Sequence, residues 1–293
     1  MLHFCELFNR KSHLFTIDYF YLMKIFKQIF DFYLNSSIHV GMSCYALVRI
    51  TQQLYEIPFD ASMSYFAFFG TIVGYNFVKY DALARIHRRN MRNELKTIAL
   101  LSFCALLAVG YFFLQLQRIT QILSLAFLVL VIMYTLPFFP NKRNARNWAG
   151  IKIYMVSICW VGVTVFLPII NSEIPLMASV FQLAAQRFIL IFVLILIFEI
   201  IDLKYDDPYL KTVPQQIGVL NTKKVGSFLL VLFVVLEFLD RSFTTSLFIL
   251  KLGIAMSTML FLLFANEQKS KYYSSFWVES IPIFWWLFLV VFG

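Results

Sequence analysis

The chain has 293 residues, of which 60% are hydrophobic and 14% charged, against about 25% charged in an ordinary soluble domain. So large an apolar fraction cannot be hidden inside one globule of this length, which excludes a soluble enzyme or binding domain. The net charge of +9 has to be explained on a membrane protein, and it requires no nucleic acid.

The apolar residues come in blocks of about twenty, the length of helix that crosses ~30 Å of hydrocarbon. Lipid offers no partner for an open strand edge, so the blocks are helices and the fold class is all-α, a polytopic membrane protein. Before the first block, YFYLMKIFKQIFDFYL (19–34) carries Lys24, Lys27, Gln28 and Asp31 at i, i+3, i+4 and i+7. A single polar stripe on an otherwise apolar helix suits a helix lying in the membrane interface. It is too charged for the apolar core of a cleavable signal peptide. Nine spans follow, near 36–55, 60–79, 97–115, 119–137, 150–170, 177–201, 225–240, 243–264 and 274–292. Arg49 interrupts the first, and the seventh is short. With no repeat, linker or low-complexity tract, residues 1–293 read as one domain.

Basic residues gather in alternate loops. Arg85, Arg88, Arg89, Arg92 and Lys96 lie between spans two and three, and Lys142, Arg143, Arg146 and Lys152 follow span four. Lys204, Lys211, Lys223 and Lys224 follow span six, Lys269 and Lys271 follow span eight, and Arg10, Lys11, Lys24 and Lys27 precede span one. The intervening loops hold Arg118 and Arg241 beside Glu56, Asp60, Glu173 and Asp240. This bias predicts a multi-pass protein of the cell (inner) membrane with its N-terminus and its even-to-odd loops in the cytoplasm. Cys5, Cys44, Cys104 and Cys159 are scattered singly, without metal-ligand spacing.

Span six ends differently from the others. In FEIIDLKYDDPYLKTVPQQIG (198–218), Glu199, Asp202, Asp206 and Asp207 arrive within nine positions, a quarter of the chain's 16 acids. Asp202 and Asp206 are i, i+4 and share a helix face, with Glu199 one turn earlier. Acids at a membrane helix end are ordinarily solvated, but Glu199 lies inside the apolar run, where an ionisable group normally faces a cavity. Carboxylates converging on a wet pocket suit Mg²⁺, which takes one or two carboxylates plus phosphate oxygens. Lys211 and Thr212, just beyond, offer an ammonium and a hydroxyl to phosphate. An amphiphilic diphosphate is the substrate this set suggests.

These residues resemble the second Asp-rich motif of the UbiA superfamily of intramembrane prenyltransferases, approximately D-x-x-x-D followed by K-x-T-L-x-x-x-x-G. Asp202 and Asp206 match its acids. Lys211, Thr212, Pro214 and Gly218 match its tail with a one-residue length difference. YTLPFFPNKRNARNWAGIK (134–152) resembles the family's stretch after the fourth helix, Tyr-x-x-Pro followed by a basic cluster. The resemblance implies a bundle of about nine helices around a central cavity, with both Asp-motif loops cytoplasmic. It also implies transfer of an isoprenoid group from a polyprenyl diphosphate to an aromatic or lipid acceptor, assisted by Mg²⁺.

The family's first motif, N-D-x-x-D-x-x-x-D at the inner end of helix two, corresponds here to YNFVKYDALARIHRRN (75–90). Asn76 matches, but Phe77, Tyr80 and Ala84 stand at the acid positions. Asp81 is one residue out of phase, about 100° round the helix. Two interpretations follow. In one, Lys79, Arg85 and Arg88 bind diphosphate directly while Asp202, Asp206 and Glu199 hold a single Mg²⁺. Asn76, Lys142, Arg143 and Lys211 then complete the diphosphate site, and Asp202 and Asp206 are the catalytic pair. In the other, the protein keeps a UbiA-like scaffold without catalysis and acts as a lipid-binding or assembly factor. Nothing in the sequence names a protein partner beyond membrane lipid. In both interpretations the span-six acids are expected to face Asn76 and Lys79 across the cavity.

Among other polar residues of the spans, Gln182, Gln186 and Arg187 suit snorkelling or helix-to-helix hydrogen bonds. Arg49 and Lys251 are candidates to pair with Glu237 or Glu279.

Overall fold

The structure, a computed structural model, describes residues 22–86, 93–135, 150–206, 210–239 and 244–292. Among these residues there is no strand. Helix α1 (22–35) precedes α2 (Ile38–Leu54), α3 (Ala61–Ile86), α4 (Asn93–Phe113) and α5 (Arg118–Thr135). Then come α6 (Ile151–Asn171), α7 (Ala178–Asp202), α8 (Val213–Val235), α9 (Thr245–Phe264) and α10 (Ile281–Phe292). Two π-helical turns interrupt this pattern, Gly162–Phe166 inside α6 and Tyr273–Val278 before α10.

Six helical segments are long and apolar enough to cross a membrane: α4, α6, α7, α8 with its extension to Leu239, α9, and Tyr273–Val291. Arg118–Met133 in α5 is apolar but shorter. Helices α2 and α3, expected as spans one and two, fall outside that set. For α2 the reason is packing: with 17 residues it buries His39, Ser43, Thr51 and Gln52 inside the bundle. A helix shielded by its neighbours has no need of an apolar surface.

The seventh span begins well before the expected residue 225. Gln215 Oε1 accepts from the Thr212 backbone N–H at 3.0 Å, and Pro214 occupies the first turn, which together start a helix at Val213. Gly218 then bends it, with φ 78° and ψ 158°. Lys223, which breaks the apolar run in sequence, donates from Nζ to Leu263 O at 2.7 Å. It thereby caps the last turn of α9.

The core is organised around α7. In its most apolar window 78% of residues are buried, against 11% in α4, so α7 is the bundle's axis and α4 part of its lipid face. Leu190, Val193, Ile197 and Ile200 pack with Leu47 and Ile50 of α2, Phe233 of α8, Ile254 of α9 and Trp285 of α10. Polar groups of α7 find partners on those helices, as expected from sequence. Gln182 Nε2 donates to Leu236 O at 2.7 Å, and Gln186 Nε2 to Phe233 O at 3.1 Å and Glu237 Oε2 at 3.0 Å. Arg187 Nη1 donates to Leu47 O at 3.1 Å, and its guanidinium lies 5.3 Å from the centre of the Trp285 ring. Lys251 pairs with Glu237 and also reaches Gln186 Oε1 at 3.1 Å. Arg49 pairs with neither acid: it donates to Gln52 Oε1 at 3.0 Å and covers the Phe59 ring.

The loop alternation has a geometric counterpart. At one end Asp60, Asn171 and Gln117, from the connections after spans one, five and three, share hydrogen bonds (Asn171 Nδ2 to Asp60 Oδ2, 2.6 Å; Gln117 N to Asn171 Oδ1, 2.9 Å). At the other end Asn35 Nδ2 donates to Glu94 Oε1 at 3.0 Å, and Lys271 Nζ lies 3.1 Å from Asp31 Oδ1.

The Lys251–Glu237 pair is buried, so removing one partner strands a charge and costs about 3–5 kcal/mol, whereas replacing both is near neutral. Lys251→Met is expected to lower the thermal midpoint in detergent by several degrees. Lys251→Met with Glu237→Leu is expected to recover most of it, as read by tryptophan fluorescence melting.

Candidate functional site

The acids of span six lie where α7 ends. Glu199 is 2% exposed, and its Oε2 accepts from the Val213 backbone N–H at 3.0 Å. Val213 is the first residue of α8, so Glu199 caps that helix from α7, where a carboxylate meets both a free N–H and the positive end of the dipole. Asp202 is half-buried, and its carbonyl takes the N–H groups of Tyr205 (2.8 Å) and Asp206 (2.9 Å), closing the α7 terminus. Asp206 Oδ2 is buried with no hydrogen-bond partner among the described residues.

The charges around these acids come from Lys152 at the start of α6, which acts on Glu199 and Asp202, and from Lys204, which acts on Asp202. Lys152 belongs in sequence to the basic cluster that follows span four, yet only folding brings it to the α7 acids. A cleft of about 310 Å³ opens beside them between α6 and α8, lined by Gly150, Ile151, Tyr154, Val213, Gln216 and Ile217. Lys211 is exposed and takes φ 47°, and its carbonyl accepts from Gln216 Nε2.

No set of three or more His, Cys, Asp or Glu side chains among the described residues could hold a metal ion. With Glu199 engaged by Val213, the chain offers Asp202 and Asp206 as donors, and the orphaned Asp206 oxygen lacks what a cation supplies. That donor set fits one Mg²⁺ completed by phosphate oxygens, rather than an all-protein cage.

Asn76 and Lys79 belong to a different neighbourhood. Asn76 is buried, and its Nδ2 donates to Ser36 O at 3.0 Å and Ser102 Oγ at 2.9 Å. Lys79 Nζ and Tyr80 Oη both donate to Asn35 O, at 3.3 and 2.8 Å. The electrostatic partners of Lys79 are Glu279, Lys271 and Glu94, and no acid of α7 is among them. In place of the expected approach to the span-six acids, Lys79 is held by the backbone of Asn35. The reason is that this part of α3 packs on the α1–α2 corner at residues 35 and 36, while the α7 terminus meets the start of α8. Arg88, Lys142 and Arg143, together with the side chain of Arg85, lie outside the described residues.

Of the residues in this second neighbourhood, Tyr75 escaped the sequence reading, and Glu279 was expected there only as a partner for Arg49 or Lys251. Tyr75 and Glu279 are half-buried, and Lys79 is exposed. The Tyr75 hydroxyl accepts from Trp160 Nε1 at 2.8 Å, joining α3 to α6. Phe188, Phe192 and Tyr154 continue an aromatic wall along α6 and α7.

No protein-family model matches the chain, and no curated protein matches it in sequence. Solved structures do: the bundle has the UbiA-superfamily fold. A UbiA homolog from Aeropyrum pernix K1 in its apo state superposes with a TM-score of 0.64 at 14% identity, covering 86% of this chain and 97% of that one. A digeranylgeranylglyceryl phosphate synthase superposes with a TM-score of 0.55 at 14% identity, over 91% of this chain and 98% of that one.

One contact near the site titrates in an accessible range. The Tyr272 hydroxyl (2.7 Å) and then Lys271 hold the Asp31 carboxyl below its ordinary value of 3.8, against a smaller opposing effect of burial. A depressed acid stabilises the folded state above its unfolded pKa and loses that contribution as pH falls through the folded one. Docking of α1 onto the turn before α10 is therefore expected to be intact at pH 6 and to weaken below about pH 4. Lower protection of residues 22–35 at pH 3, relative to the intrinsic exchange rate at that pH, would read this out, and Asp31→Asn should show the lower protection already at pH 6.

Proposed function

We propose that this protein is an intramembrane prenyltransferase, transferring an isoprenoid group from a polyprenyl diphosphate to an amphiphilic acceptor. The observation that carries this reading is the set of acids at the end of the most buried helix of a UbiA-type bundle. One of them, Asp206, keeps a buried oxygen unpartnered. Asp202 and Asp206 would hold one Mg²⁺, which neutralises charge developing on the departing diphosphate. Lys152 adds fixed positive charge at the same place, and Lys211, Arg85, Arg88, Lys142 and Arg143 are proposed to extend it. Preorganised charge aimed at a leaving group is the largest contribution such a site makes to rate. The aromatic wall of Tyr75, Trp160, Phe188 and Phe192 suits an isoprenoid chain and a developing allylic cation. The basic loops support a location in the cell (inner) membrane with this end of the bundle cytoplasmic.

A second reading, a catalytically silent UbiA-like protein that binds lipid or assists assembly, is favoured by α3. There Phe77 and Tyr80 stand at acid positions of the family motif, and Asn76 and Lys79 are engaged by the backbone of residues 35 and 36.

Purified protein in lipid, with labelled isoprenoid diphosphates, a panel of acceptors and Mg²⁺, is expected to yield prenylated product. Asp202→Asn with Asp206→Asn is expected to lower that yield about 100-fold or more with the melting curve preserved. Absence both of product and of a diphosphate-dependent thermal shift in the unaltered protein would sink the catalytic reading. Survival of cellular function in the double variant would select the second reading.

A further inference from the structure

We propose that α1 and the chain entering the π turn before α10 form a surface for anionic phospholipid headgroups. Lys24, Lys27 and Lys271 are its phosphate-binding side chains, and lipid bound there seats the α1–α2 corner.

The residues of α1 divide into three faces. At 100° per residue, Leu22, Phe26 and Ile29 fall within about 60° of one another, and each is more than half exposed. Lys24, Lys27, Gln28 and Asp31 share the opposite side. Phe30 and Leu34 lie between the two and meet the bundle. The Phe30 ring centre is 5.7 Å from that of Tyr272 and 5.1 Å from that of Phe276, and Leu34 is buried. A helix with an apolar, a polar and a protein-facing side lies at the bilayer surface against its own bundle. With Leu22, Phe26 and Ile29 among acyl chains, the lysines stand at the level of the headgroups.

The bundle continues the polar side of α1. Asp31 accepts from Tyr272 Oη at 2.7 Å and lies 3.1 Å from Lys271 Nζ. Lys27 is one helical turn from Asp31, and Lys24 one turn beyond Lys27. Three ammonium groups thus share one patch with a single carboxylate. The Lys271 side chain keeps 60% of its surface exposed, so its remaining N–H donors are open to a second partner. Lys24 and Lys27 are exposed along the same stripe. This surplus of positive charge beside an apolar face suits an anionic phospholipid, whereas a zwitterionic one brings an ammonium of its own.

The corner reached by α1 is where α3 is held. Asn35 O accepts from Lys79 Nζ at 3.3 Å and Tyr80 Oη at 2.8 Å, and Ser36 O from Asn76 Nδ2 at 3.0 Å. Only Ser36 and Ser37 separate α1 from α2. Movement of α1 is therefore passed directly to those two carbonyls. Lipid that holds α1 in place steadies Asn76, Lys79 and Tyr80 as well.

The test compares the full chain in nanodiscs of phosphatidylcholine alone and of phosphatidylcholine mixed with phosphatidylglycerol, read by hydrogen exchange. Exchange over residues 22–35 is expected to slow about fivefold or more in the anionic discs, the factor one lysine contributes at an anionic surface. Residues 76–80 are expected to slow with them. The gain should vanish in about 1 M salt, where screening reaches down to ~3 Å. Inorganic phosphate added to phosphatidylcholine discs is expected to change nothing. Lys24→Gln with Lys27→Gln is expected to keep the melting curve and lose the anionic gain. Native mass spectrometry of the unaltered protein released from mixed discs should show phosphatidylglycerol retained over phosphatidylcholine. Equal exchange in the two discs, or no preference among retained lipids, leaves apolar anchoring alone and overturns the headgroup site. Protection by inorganic phosphate overturns lipid as the occupant, and an undiminished gain in the double variant overturns the assignment of the lysines. Slowing confined to residues 22–35 overturns the coupling to α3.

Discussion

A bilayer supplies no water, so a helix at the centre of this bundle has to find protein partners for every polar group it carries. Helix α7 carries Gln182, Gln186, Arg187 and Glu199, and its neighbours are arranged around the hydrogen bonds these make, with Nε and Nη2 of Arg187 left unpartnered among the described residues. Gln182 and Gln186 fix α8 and its 3₁₀ extension at one level, Lys251 brings in α9, Arg187 reaches α2 and α10, and Glu199 starts α8 at the opposite end. Between these points the contacts are Leu, Ile and Val against Phe and Trp, which fill space but do not choose a register. The polar contacts choose it.

Fixing α7 also divides the interior chemistry. Its C-terminal end gives acids to the side of the bundle where α8 begins, while Lys79 of α3 is held at the α1–α2 corner.

The spans were legible in the sequence because lipid enforces length and apolarity: α4 to α7, α9 and the last helix begin and end within a few residues of the apolar blocks. The α8 start was not, because its signal is a capping box with Pro214, and Lys223 looks like an interruption until α9 supplies Leu263 O. The acids were legible too, as an i, i+4 pair, but the cap made by Glu199 was not, since Val213 lies across a turn that periodicity does not describe. Glu279 was read only as a possible mate for a buried cation. Its electrostatic partner Lys79 comes from the second span, and no local pattern connects the two ends of a chain.

The π turn at Tyr273–Val278 carries a consequence for how this last helix is used. One additional residue in the turn advances everything after it by about 100° relative to everything before it. The last span is in effect a π-helical segment and an α-helix, joined by a turn at Glu279 and Ser280. Phe276 within the π turn stacks on His39 of α2, and Trp285 beyond it packs into the α7 core. Glu279 sits at the joint, so its direction is a matter of residue count rather than of side-chain rotamer. Here the length of the chain itself aims the charge.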